Sequence, residues 1–269
     1  MSVALVISIH NYKTAGVTFY SIIDRQFKKE QVLNANIIGI QNLTKLLAEA
    51  NDEYKKSIKI IHGHFPFGLD ASFSQTATYV TFLRNPIERV ISDYFYCKGI
   101  YLAHNHSYAS KMTFKEYLTC SEILNIDNGQ TRFIAGDMNT PFGENSEAML
   151  EKAKKNIDER FSFVGITEKF DESLILANYL FSWKKYYYQS KNVTSEKKID
   201  LDEETLELLK QRNRLDLELY EYALRRHKKE MAKIPLLGLR RLYLSILKKT
   251  YNLIHPSFLK ARTLIKSIK

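Results

Sequence analysis

A three-layer α/β fold is predicted for this 269-residue sequence, with a central parallel sheet and a helical extension at the C-terminus. Three features predict it. Short β-branched runs recur along the chain, each apolar nearly throughout, as a strand covered on both faces must be. Longer segments with helical spacing separate these runs, the alternation that builds parallel crossovers. The first run passes directly into Lys13-Thr14-Ala15-Gly16, a basic turn of small residues at a strand's carboxyl end, where open α/β sheets bind ligands.

The strands, about five in all, are expected at residues 3–9, 36–40, 58–62, 78–83 and 161–166. Helices are expected at 16–29, 42–54, 86–97 and 146–160, with another at 171–185 after the last strand. Asn85 followed by Pro86 supplies a cap and a proline preset for the first turn. Residues 99–145 are less regular, with short helices near 113–119 and 128–135, and read as an insertion over the sheet's carboxyl edge. Residues 201–230 read as one long, charge-laced helix laid across a body spanning 1–230. Residues 231–269 are a separate compositional unit.

The net charge of +10 comes from 40 Lys and Arg against 30 Asp and Glu, and it is unevenly spread. Residues 231–269 hold six Lys, three Arg and no acidic residue, which leaves +1 for the body. A nucleic-acid footprint across the domain is therefore excluded. On a helical wheel, residues 238–254 place Arg241, Ser245, Lys248, Lys249 and Asn252 on one side. Leu239, Leu242, Tyr243, Ile246, Leu247 and Leu253 take the other. Pro256 is expected to end this helix, with a second apolar stripe over 258–268. Such a basic amphipathic element suits an anionic membrane surface, through residues 238–269. Alternatively its apolar face docks on the body or on a second subunit, leaving the basic side solvated. Two cysteines, Cys97 and Cys120, are too few for a disulfide framework or a zinc site. The N-terminal VALVISI is too short and too β-branched for a leader, so the expected location is cytoplasmic, peripheral at the inner face of the membrane if the tail binds there.

Two segments carry the chemistry. In the first, Ala15 and Gly16 let backbone close around an anion, the following helix offers free N–H groups, and Lys13, Thr14 and Thr18 add donors. The order is not G-x-x-x-x-G-K-[ST], and a structurally neutral Lys-Thr at a strand end is the competing reading. In the second, Arg84 ends a strand and Ser92 lies about two turns into the next helix, a fork and a hydroxyl suited to phosphate. Taken singly, Arg84 capping a carbonyl and Ser92 packing would explain them as well. His62 and His64 end the third strand in HGHFPFG, two residues apart and so facing the same way, with Gly63 leaving the space between them open. Histidine is the side chain that titrates nearest neutral pH, which makes this pair, and less directly His10, candidates for a general base. A histidine satisfied in the core is the alternative.

Together, KTAGVTF at 13–19 and R-x7-S at 84–92, each after a buried strand, resemble the sulfotransferases that use 3′-phosphoadenosine 5′-phosphosulfate (PAPS). Within them the chain is most similar to the carbohydrate branch containing the heparan 2-O- and 6-O-sulfotransferases. The likeness extends through His62-Gly63-His64, Asp127–Gly136 and residues 153–168, and ends near 215–223. It implies a P-loop-like fold and sulfuryl transfer from PAPS to a hydroxyl of a polysaccharide, glycolipid or glycoside, with no metal. Residues Lys13, Thr14, Ala15, Gly16, Val17 and Thr18 would hold the 5′-phosphosulfate, and Arg84 and Ser92 the 3′-phosphate. Lys13 would also neutralise the leaving phosphate. His64 would be the base and His62 its support, while Thr194 and Ser195 resemble a later loop that closes over the nucleotide. His104 and His106, in the insertion, could touch the acceptor. Arg132 would contact donor or acceptor, or form a structural ion pair. Tyr12 stands where the family has Pro, and Val17 where Ser or Thr is common; neither removes a backbone donor. Rival readings are a P-loop kinase of a small metabolite, which needs an Asp at a strand end, and a basic membrane- or polyanion-binding protein. Oligomeric state is not legible.

Overall fold

The structure is a computed structural model, described for residues 5–188 and 201–267, with side chains as far as 253. Strand β1 (Leu5–Ile9) leads into α1 (Gly16–Ile23), and β2 (Val32–Asn34) is followed by α2 (Ala35–Ile38), α3 (Ile40–Glu49) and α4 (Asp52–Ser57). Then come β3 (Ile60–Gly63), β4 (Ala77–Leu83) and α5 (Pro86–Gly99). The insertion holds α6 (His106–Ala109), α7 (Phe114–Thr119) and α8 (Gly129–Ala135). Helix α9 (Glu147–Arg160) returns the chain to β5 (Phe161–Ile166) and α10 (Phe170–Phe181). Helices α11 (Glu203–Arg212), α12 (Arg214–Met231) and α13 (Leu237–Ser267) complete it.

All strand pairings are parallel, in the order β2-β3-β1-β4-β5. Successive residues of β1 point to opposite faces. Leu5, Ile7 and Ile9 pack with α3, α8, α9 and α12, whereas Val6 packs with Phe19 and Ile22 of α1 and Leu174–Ala177 of α10. These two apolar layers on one sheet are the predicted three-layer α/β fold. A third cluster, around Val90, Tyr94, Tyr117 and Leu118, lies under the insertion. The order places β3, β1 and β4 side by side, so the chain segments after Ile9, His62 and Leu83 leave the sheet at one edge.

Three expectations are corrected. The second strand is residues 32–34; residues 36–40 are mostly helical and Ile37 is exposed. Asn34 ends the strand because its side chain accepts from Asn36 N–H (3.0 Å) and so opens a helix instead. The long helix predicted over 201–230 is two, broken at Asn213, whose side-chain amide donates to the Leu209 carbonyl (3.1 Å). Pro256 does not end α13, which runs on to Ser267: one proline removes a single backbone donor, and the remaining helical bonds can carry the helix past it. The Asn85-Pro86 start is as predicted, with Asn85 Oδ1 accepting from Ile87 and Glu88 N–H (3.0 and 3.2 Å).

The tail docks on α10, but not by the face the wheel suggests. Leu244 is buried and Leu247 half-buried against the body. Arg241 pairs with Glu172 (2.6 Å) and Lys248 with Asp171 (2.8 Å), because α10 presents acids in its first turn. Part of the basic side therefore faces the body. Leu239, Leu242, Tyr243, Ile246 and Leu253 stay 52–77% exposed.

Candidate active site

The loop after β1 is pinned from below. Buried Asn11 donates its side-chain amide to Thr81 Oγ1 (3.1 Å) and the Phe82 carbonyl (3.3 Å), both on β4. Thr81 donates back to the Ile9 carbonyl (2.9 Å). Lys13 and Ala15 take left-handed conformations (φ 63° and 60°), and α1 starts at Gly16. A Cβ on Gly16 would lie 1.6 Å from His10 Nε2, so only glycine lets the imidazole pack beneath the loop. Thr18 and Phe19 N–H both donate to the Ala15 carbonyl, while the amides of Gly16 and Val17 precede any intrahelical acceptor and suit an anion. Thr14 differs from expectation. Its hydroxyl is buried and donates to the Asn11 carbonyl (2.9 Å), so the side chain holds the loop's shape.

Lys13 lies half-buried with its ammonium 3.9 Å from the Tyr96 ring centre. Burial lowers its pKa, and Asp93 partly opposes this. Arg84 joins the same loop, donating from Nη1 to the Lys13 carbonyl (3.3 Å). Its guanidinium also stands 3.9 and 4.0 Å from Glu88 and Glu168. Burial lowers its pKa as well, with Glu168 and Glu88 opposing. Ser92 is half-buried on α5.

The histidines form part of a stack of six rings, Tyr20, His62, His10, His64, Tyr12 and His104, with successive centroids 4.1–5.6 Å apart. His62 and His64 do face one way, but the space between them is filled by His10 rather than open. Gly63 serves another purpose: a Cβ there would come within 2.6 Å of Ala35 Cβ, so glycine lets α2 approach the strand end. His64 Nδ1 lies 2.6 Å from the His10 carbonyl. A carbonyl only accepts, so Nδ1 carries the proton and Nε2 keeps a free lone pair. Burial pushes His64 down to about 4, with the charge of His104 adding and the His10 carbonyl and Asp93 opposing. Burial and His64 push His62 to about 3, and His10 is lowered too, chiefly by burial. All three are neutral at pH 7.

A phosphate-type loop, a guanidinium beside it and a neutral imidazole with a free lone pair thus meet at one sheet edge. Residues 3–252 match the family described as galactose-3-O-sulfotransferase. The chain belongs to that family. Among relatives, human heparan-sulfate 6-O-sulfotransferase 1 is 27% identical over 174 residues, covering 54% of this chain and 42% of the relative. Heparan-sulfate 6-O-sulfotransferases 1-B and 1-A of Danio rerio are each 26% identical over the same shares. The chain therefore spans less than half the length of these relatives. The family match extends beyond residue 230, where the sequence resemblance stops, and takes in the docked part of α13.

In this galactose-3-O-sulfotransferase family member, several predicted residues lie apart from the loop. Arg132 is fully buried, pairs with Asp127 (2.7 Å) and donates to the Asp127, Thr140 and Pro141 carbonyls, which is the structural ion pair of the two readings. His104 stacks on the far side of Tyr12 from His64 and contacts Asp93 (3.3 Å). Burial disfavours its charge, yet Asp93 and Cys97 outweigh this and raise it to about 9. His106 donates Nδ1–H to the Cys97 carbonyl (2.8 Å). Thr194 and Ser195 fall outside the described residues.

Sequence reasoning missed the residues that hold Arg84 in place. Gln130 clamps its backbone, accepting from Arg84 N–H and donating to its carbonyl (both 2.9 Å). Helix α8, which carries Gln130, exchanges caps with α12. Asp216 accepts from Gln130 and Thr131 N–H (3.1 and 2.7 Å), and Asn128 Oδ1 accepts from Leu215 and Asp216 N–H (2.8 and 3.1 Å). A signal was available: Asp93 and Asp216 are acids on the apolar stripes of their helices, where an acid is uncommon unless partnered.

Proposed function

We propose that the chain transfers the sulfuryl group from PAPS to a carbohydrate hydroxyl, with His64 as general base. The observation that carries this reading is the fixed tautomer of His64: its free Nε2 stands at the sheet edge that also carries Lys13 and Arg84. The donor supplies an activated sulfur attached to a good phosphate leaving group. His64 Nε2 accepts the acceptor's proton as its oxygen bonds to sulfur, and the sulfur–phosphate oxygen bond breaks. Lys13, with the loop amides, holds the negative charge that gathers on the departing phosphate. Arg84 and Ser92 hold the 3′-phosphate. The residues fit such a ligand: two cations stand at the loop beside the first amides of α1, and neither cation has an acid within 3.5 Å. None of the five described strands ends in Asp, which weighs against the kinase reading.

The test is release of 3′,5′-ADP from labelled PAPS by purified protein across a panel of polysaccharides, glycolipids and glycosides. Release that depends on an acceptor supports the reading; equal affinity for ATP and PAPS would remove the donor assignment. Arg84→Ala is expected to weaken PAPS binding by about 10–150-fold, the range for losing a charge-assisted hydrogen bond. Affinity for a nucleotide lacking the 3′-phosphate should barely change, as calorimetry would show.

For the tail, we infer an anionic lipid surface as partner, at the inner face of the cytoplasmic membrane. Its support is the exposed apolar row on a segment with nine basic residues and no acid. No helix among the described residues is long and apolar enough to cross a membrane. Changing Leu239, Leu242 and Ile246 together to Gln should abolish co-flotation with phosphatidylserine vesicles and leave turnover on a soluble acceptor intact. Equal flotation with neutral vesicles, or a tail that mediates only dimerisation, would overturn it.

A further inference from the structure

Beyond the reaction itself, one side-chain cluster is built like a metal site. Asp93 and Cys97 stand four residues apart on α5 and so share a face. The chain leaves the helix at Ile100 and returns His104 over that face. His104 Nε2 lies 3.3 Å from Asp93 Oδ1 and 3.7 Å from Cys97 Sγ, and one ligand atom from each of the three residues falls within 4.8 Å of the others. A tetrahedral zinc ion, with bonds of about 2.0 Å to N and O and about 2.3 Å to S, requires ligand separations of about 3.3–3.6 Å. The two distances from His104 are close to those edges.

Asp93 supplies a second, independent observation. Its side chain is fully buried, and Oδ1 meets the His104 ring at ion-pair distance (3.3 Å) without a well-aligned hydrogen bond. The other oxygen is fully engaged, accepting from Tyr117 Oη and Asn125 Nδ2 (both 2.9 Å). One oxygen held by donors and the other turned to the His104 ring and the Cys97 thiol is how an outer shell orients a metal-binding carboxylate. His106 plays a similar part for the sulfur-bearing residue, tying the Cys97 carbonyl to the returning turn.

We propose that Asp93, Cys97 and His104 bind a zinc-class divalent cation, with a water molecule in the fourth position. Thiolate, imidazole and carboxylate together select a borderline ion of tetrahedral preference over magnesium or calcium. The ion would fasten the turn at residues 100–105 to α5. Tyr12 lies between His104 and His64, with both ring centres 4.1 Å away, so it would also fix the outer end of the stack that seats the base. Its role is positioning. Sulfuryl transfer as written above has no step through it.

The test uses the full chain, stripped with chelator and titrated with Co2+, without donor or acceptor. One equivalent is expected to produce a thiolate-to-cobalt charge-transfer band in the near ultraviolet and intense visible bands of tetrahedral coordination. Stoichiometric zinc should displace both. Cys97→Ser should lose the charge-transfer band, and His104→Gln, on the partly exposed turn, should lose stoichiometric binding with the fold preserved. Cys120→Ser should behave as the parent. A parent protein with no such band, or a band that survives Cys97→Ser and disappears with Cys120→Ser, would overturn the proposal. Because no substrate is present, either result leaves the sulfuryl-transfer reading to its own test.

Discussion

His64→Ala is expected to lower kcat by about 10²–10⁴-fold, the usual contribution of a positioned general base, while PAPS affinity stays within a few-fold of the parent. The reason is that His64 meets the loop through the His10 carbonyl and the Tyr12 ring and bonds neither Lys13 nor Arg84, so its loss removes the proposed proton acceptor and spares the two cations. Single-turnover measurements of sulfate transfer, paired with calorimetric binding, separate the two. Should His64→Ala retain most of its activity while His62→Ala or His10→Ala loses it, the base is another member of the stack. The acid limb of kcat/KM in the parent is expected near pH 4 rather than 6.5, since burial holds the His64 imidazole at about 4.

Stability follows the same groups with a definite sign. His10, His62 and His64 all have folded pKa values below the ordinary 6.5 or so of an exposed histidine. Below that pH the unfolded chain takes up protons that the folded one refuses. Their contribution is complete above about 6.5 and declines as pH falls, by at most about 1.4 kcal/mol per pH unit for each. The neighbours facing them are Tyr12, Tyr20, Lys13, His104 and Asp93. In the metal-free protein His104 acts oppositely: raised to about 9, it stabilises fully below 6.5 and fades as pH rises through 9.

Asp216→Ala is expected to destabilise the protein by about 3–5 kcal/mol, the cost of breaking a buried charge pair from one side. Asp216 is fully buried, and its carboxylate accepts from two α8 amides and the Thr131 hydroxyl, 3.7 Å from the equally buried Arg89. Removing it orphans three donors and a guanidinium held otherwise by Asn125 and Asn213. Asp216→Asn should fall between the two, because one amide oxygen can still accept but its NH2 confronts a donor. Urea unfolding measures both. The same variants should weaken PAPS binding, since Gln130 loses the cap that seats it under Arg84. A loss of stability with donor affinity unchanged would separate Asp216 from the site.

Four of the five strands and the turn after β1 are legible because each depends on local pattern. Runs such as Phe161–Ile166 are apolar on both faces, and a Lys-Thr-Ala-Gly turn after a buried strand states its own geometry. Asn34 and Asn213 misled the reading because a polar side chain satisfying a nearby backbone group ends an element that hydropathy would continue. Other errors were of orientation. The Thr14 hydroxyl, expected to face the ligand, serves the loop instead, and the space expected between His62 and His64 is filled by His10, which follows β1. Long-range placement has no local signature. Nothing around Arg84 announces that Gln130 clamps it, and nothing around Gln130 announces Asp216.

The exchanged caps between α8 and α12 also bear on how the protein is made. A ribosome releases the anion loop and Arg84 early, in the first strands to emerge, but Asp216 arrives only after β5 and α10 have left the tunnel. Until then the N–H groups of Gln130 and Thr131 have no carboxylate to receive them, and the clamp on Arg84 rests on an uncapped helix. A nascent chain stopped before residue 214 is expected to contain every strand of the sheet and still be unable to retain donor. Donor binding should appear late in synthesis, as one step, when α12 docks.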